Sequence, residues 1–96
     1  MENTKLTITK DYSLLRKVLI DPNLSIVAKA IYSYLYTFKL DNNEIPEVKT
    51  IINDLQISEN KFYKNKKQLI ENGYLITEIQ RNKNRISGLK YILVGL

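Results

Sequence analysis

In this 96-residue chain only Gln56-Ile57-Ser58 separates two amphipathic segments, and that short gap constrains the fold more than any other feature. Before it, Val48, Ile51, Ile52 and Leu55 recur at three- and four-residue steps, the spacing of one helix face. Pro46 suits the first turn of that helix, where its missing amide costs nothing. After it, Phe62 and Leu69 share a face, Ser58 can cap the helix start, and Glu59 complements the helix dipole. Asn72-Gly73 ends the segment, with glycine fit for a left-handed cap. Because both flanks have helical spacing, the gap reads as a corner between two helices.

The neighbouring segments complete a layout. Leu6 and Ile8 alternate with Thr7 and Thr9, which predicts a short strand or extended arm over residues 1–10. Leu14, Leu15, Val18 and Leu19 predict a short helix closed by Asp21-Pro22-Asn23. Ser25 is a candidate cap for a long helix over residues 25–39, whose apolar stripe reads Val27, Ala30, Ile31, Tyr34, Leu35 and Phe38. The helix pair occupies residues 47–73, and residues 74–94 hold two β-prone runs around the basic stretch Arg81-Asn82-Lys83-Asn84-Arg85. That stretch is too long for a two-residue turn and predicts a hairpin with a projecting charged tip. The expected fold is α+β, mainly α. A short N-terminal strand or arm, three main helices and a C-terminal β-hairpin form a winged helix–turn–helix as one domain over residues 1–96.

Charge and composition narrow the chemistry. There is no histidine and no cysteine, so disulfides, zinc fingers and His- or Cys-based catalysis are all excluded. No phosphate-cradling glycine loop exists among only three glycines, so no enzyme, metal or cofactor is expected. No apolar run approaches the ~20 residues of a membrane span, and the N-terminus lacks a signal-like pattern, which leads to the expectation of a cytoplasmic protein. The net charge of +5 is unevenly placed: residues 1–60 carry seven basic and eight acidic side chains, residues 61–96 eight basic and two acidic. Such asymmetry points to a polyanion bound by the C-terminal third.

The second helix of such a corner is the one that enters a major groove. With Phe62 and Leu69 inward, the outward residues are Glu59, Asn60, Tyr63, Lys64 and Lys67. Asn60 suits adenine, Lys64 suits guanine acceptors or phosphate, and Tyr63 suits a phosphate or a thymine methyl. Lys61, Lys67 and the tip residues Arg81, Lys83 and Arg85 suit phosphates or a narrow minor groove. Tyr32, Tyr36 and Leu40 read as an outer strip, a candidate homodimer contact or a seat for the N-terminal arm. Lys66 and Asn65 fall where apolar residues are expected, which predicts a recognition helix either loosely packed or partly open to a partner; the Lys66 stem can pack while its ammonium reaches out.

The pattern Leu24-Ser25-x-x-Ala28-Lys29-x-x-x-x-Tyr34-Leu35, then Ile45-Pro46, Leu55-x-Ile57-Ser58, Leu69-x-x-x-Gly73-Tyr74-Leu75 and Tyr91-x-Leu93, resembles the helix–turn–helix domains common in phage and plasmid proteins. Leu14-Leu15-Arg16 and Asp21 are similar to the lead-in of such domains, and the likeness covers about residues 12–94. These domains occur in replication initiators, replisome organisers and small regulators. The resemblance implies recognition by residues 58–72 and a wing at residues 81–85. Gln56 departs from it, standing where the family usually has glycine, and so does Lys66. The expected function is binding of double-stranded DNA by a homodimer, as a small regulator or a replication or partition accessory factor working with other such proteins. A protein-interaction module and a single-stranded DNA binder are the competing expectations. No effector domain follows the wing in these 96 residues.

Overall fold

The computed structural model describes residues 12–83 and 85–95. Its elements run α1 (Ser13–Leu19), α2 (Ile26–Leu40), α3 (Val48–Leu55), α4 (Glu59–Glu71), β1 (Leu75–Asn82) and β2 (Arg85–Leu93). This is the winged helix–turn–helix layout: four helices followed by an antiparallel two-stranded hairpin. The expected arm at residues 1–10 lies outside the described residues. No helix among the described residues is long and apolar enough to cross a membrane.

Local chemistry sets the helix boundaries. Ser25 Oγ accepts from the Ala28 amide at 3.0 Å, and Ser58 Oγ from the Lys61 amide at 3.1 Å, each capping a helix start. Three helices end through a residue in the left-handed region: Asn42 (φ 57°), Gln56 (φ 55°) and Gly73 (φ 83°). At the last, Gly73 N donates to Ile70 O at 3.0 Å and Tyr74 N to Leu69 O at 2.9 Å, the paired bonds of a Schellman end. Asn42 and Asn43 close α2 in the same way onto Lys39 O and Phe38 O. Gln56 does the work of glycine at the corner, with Ile57 N donating back to Ile52 O at 3.2 Å.

The core gathers Val18 from α1, Ala28, Ile31, Tyr32, Leu35 and Tyr36 from α2, Ile51 from α3, Phe62 and Leu69 from α4, and Tyr74, Leu75, Tyr91 and Leu93 at the hairpin base. This corrects the expected face of α2. Tyr32 and Tyr36 are fully buried, Leu40 is half-buried against the same core, and Ala30 is exposed. The tyrosines therefore form no outer strip and offer no surface to a second copy. The physical reason is that α2 packs against α1 on one side and α4 on another, so its buried arc is wide and takes in both tyrosine rings. The rings form a row: Tyr12–Tyr36 at 6.5 Å, Tyr36–Tyr32 at 5.9 Å and Tyr32–Tyr74 at 6.1 Å between centroids.

The wing also differs from expectation. Asn82 pairs with Arg85, so the tip is a two-residue turn and not a five-residue loop. Lys83 takes φ 52°, the positive value that tight hairpin turns of the primed types require. Between Gln80↔Gly88 and Arg81↔Ile86 the register shifts, leaving Ser87 without a partner on β1 and placing a bulge on β2, two residues after the turn.

Candidate nucleic-acid interface

At 3.6 residues per turn, Asn60, Lys64 and Lys67 form the crest of α4, opposite the buried Leu69. Tyr63 flanks the crest on the hairpin side and Lys61 on the α2 side. All five side chains are exposed. Lys67 reaches Glu71 at 3.9 Å, one turn on; both are well exposed, and such a pair contributes at most about 1 kcal/mol and yields readily to a stronger anion. At the far end of the hairpin, Arg81 and Lys83 are exposed. Arg85 opens β2, and its side chain lies outside the described part of the molecule.

The recognition helix is held tightly, which corrects the expectation of loose packing. Asn65 is 8% exposed, yet both ends of its amide have a partner. Its Nδ2 donates to Lys61 O at 2.7 Å, and its Oδ1 accepts from Ser25 Oγ. Gln68 Oε1 accepts from Ser25 N at 2.7 Å. Two side chains of α4 thus hold the residue that caps α2, so the helix that would read DNA is latched to the start of the longest helix. Beside the latch, Ser58, Asn60, Lys61 and Lys64 line a hollow of about 550 Å³ between α2 and α4.

The other flank of α4 is fastened by aromatic contact. Lys66 Nζ lies 4.9 Å from the Tyr63 ring centroid, 5.5 Å from Tyr91 and 5.8 Å from Phe62. Burial pushes the Lys66 ammonium below its ordinary pKa and, together with the nearby Tyr63, pushes the Tyr91 hydroxyl up. The sequence expectation that the Lys66 stem packs holds, but its head rests on rings and does not extend freely.

Sequence reasoning missed Asn65 and Gln68 as positioning residues. One signal was available: Asn65 and Gln68 are polar residues three apart in the sequence, on one side of a helix whose crest already carries Asn60, Lys64 and Lys67.

With this geometry in place, comparison with known proteins is informative. A family model described as a helix-turn-helix domain matches residues 23–75, from just before the α2 cap to the first residue of β1. The chain belongs to the helix–turn–helix domain family. No curated protein and no solved structure matches it significantly. Membership makes DNA the partner to which this helix–turn–helix domain points, and the matched span contains α4 and its latch but ends before the wing tip.

Proposed function

We propose that this helix–turn–helix domain binds double-stranded DNA, with α4 in the major groove and the hairpin on the adjoining backbone or minor groove. It would serve as a small regulator or as a replication or partition accessory factor. One observation carries the reading. The exposed crest of α4 presents Asn60, Lys64 and Lys67, flanked by Tyr63 and Lys61, on a helix latched rigidly to α2. Asn60 has the paired donor and acceptor that match adenine, and Lys64, one turn away, can reach guanine acceptors. Lys61 and Lys67 suit phosphates. Arg81 and Lys83 extend the positive surface toward the hairpin end, where Arg85 opens β2.

Binding of fluorescent duplex and single-stranded DNA, measured across a salt series, tests this. Five to seven phosphate contacts would give a log–log salt slope of roughly −4.5 to −6.5 on duplex. Tighter binding to the single strand would favour stacking on Tyr63 instead. No duplex binding at low salt, or a slope near zero, overturns the reading and leaves the protein-interaction role.

A further inference from the structure

We propose that Lys66 is a ligand for a backbone phosphate, held in place by an aromatic cage at the seam between α4 and the hairpin. The proposal rests on the duplex-binding reading and extends it to a residue that sequence reasoning treated as a misplaced core position.

The starting point is an imbalance. Lys66 is half-buried, its ammonium sits within 6 Å of three ring centroids, and no carboxylate among the described residues pairs with it. Removing a cation from water without an anionic partner is costly, and the three ring faces recover only part of that cost. The Tyr91 hydroxyl in the same cage is itself buried with no hydrogen-bond partner. A site that confines a cation, strips part of its water and supplies no counter-charge is prepared for an anion from outside.

Placement says which anion. Lys66 joins the two DNA-facing elements, touching Phe62 and Tyr63 on α4 and Tyr91 on β2. With α4 in the major groove and the hairpin over the neighbouring groove, the sugar-phosphate strand dividing those grooves must cross this seam. The nearest ring, Tyr63, is 43% exposed, so one wall of the cage meets the solvent on the side from which the strand would arrive. A phosphodiester there would gain a charge-assisted contact with a cation whose rotamer is already restricted by packing. The same contact would fix the helix and the wing to one phosphate and hold their relative register on the duplex.

The test compares wild type, Lys66→Met, Lys66→Gln and Lys66→Arg on one random-sequence duplex across a potassium chloride series, with thermal melting of each protein. The expected result is a salt slope shallower by about 0.9 for both charge-free variants, with affinity lower by on the order of eight-fold at ~0.1 M salt, as loss of one phosphate contact implies. Lys66→Arg should restore the slope. In the wild-type protein, the Lys66 ammonium resonance should shift when duplex is added. If wild type binds steeply and the charge-free variants keep its slope, or the resonance stays still, the phosphate site is overturned while the duplex-binding reading stands. If wild type itself shows no salt-dependent duplex binding, both are overturned.

Discussion

Gln56 sits at φ 55° and ψ 50°, a left-handed conformation that costs a side-chain-bearing residue about 1–2 kcal/mol. Glycine adopts it freely but brings roughly 0.4–1 kcal/mol of extra freedom to the unfolded chain. Gln56→Gly should therefore stabilise the domain by about 0.5–1 kcal/mol, a Tm rise of a few degrees for a domain of this size by thermal or urea unfolding. An unchanged or lowered Tm would show that the Gln56 side chain contributes something beyond its backbone. Asn65 behaves in the opposite sense. Leucine there would fill the space but leave Ser25 Oγ without its acceptor at a nearly closed site, so Asn65→Leu should destabilise by about 1–3 kcal/mol. A Tm equal to wild type would mean that the latch is dispensable.

At the scale of elements, the crest of α4 and its α2 flank should give different binding phenotypes. Lys64 lies on the crest, so Lys64→Ala should lower discrimination between sequences by about 1–3 kcal/mol, read as relaxed preference at one base position. Lys61 lies toward α2, so Lys61→Ala should weaken binding to all duplexes alike and make the salt slope shallower by about 0.9. Exchanged phenotypes would mean that the helix enters the groove rotated about its own axis. What sequence revealed of these elements follows from range. The caps at Ser25 and Ser58, the corner at Gln56 and the Gly73 end are decided by neighbours within about one turn, and all were legible. The buried face of α2 was not, because two stripes on that helix share Ile31 and Leu35 and a tyrosine ring counts as apolar in one and polar in the other. The latch was not either, since Ser25 and Asn65 stand 40 residues apart. The wing turn was misread for a different reason. From Glu78 to Arg81 every β1 side chain is exposed, so a strand residue such as Arg81 has the composition of a loop.

For the molecule as a whole, the tyrosines connect core packing to alkaline stability. The row Tyr12–Tyr36–Tyr32–Tyr74 runs from the start of α1 across α2 to the base of β1, so three elements share one aromatic seam. Burial pushes the Tyr32 hydroxyl up to about 12, with Tyr36 and Tyr74 adding to it. Tyr34 is also pushed up to about 12, first by burial and then by its hydrogen bond to Asp54 at 2.5 Å. The fold thus favours the protonated form of each group, whose ordinary value is 10.0. Their stabilisation is fully present below that value and is lost as pH rises through 10 toward 12. A titration followed by tyrosinate absorbance and helical circular dichroism should therefore show late-ionising tyrosines appearing together with loss of helix. All seven ionising near 10 with helix intact would contradict the burial seen here. Tyr32→Phe isolates the cause. The Tyr32 hydroxyl is buried without a hydrogen-bond partner, so its removal should raise neutral-pH stability by about 1 kcal/mol and delete one late ionisation. If the variant is instead less stable, the hydroxyl has a partner in solution, and the seam between α2 and the hairpin base is wetter than its packing implies.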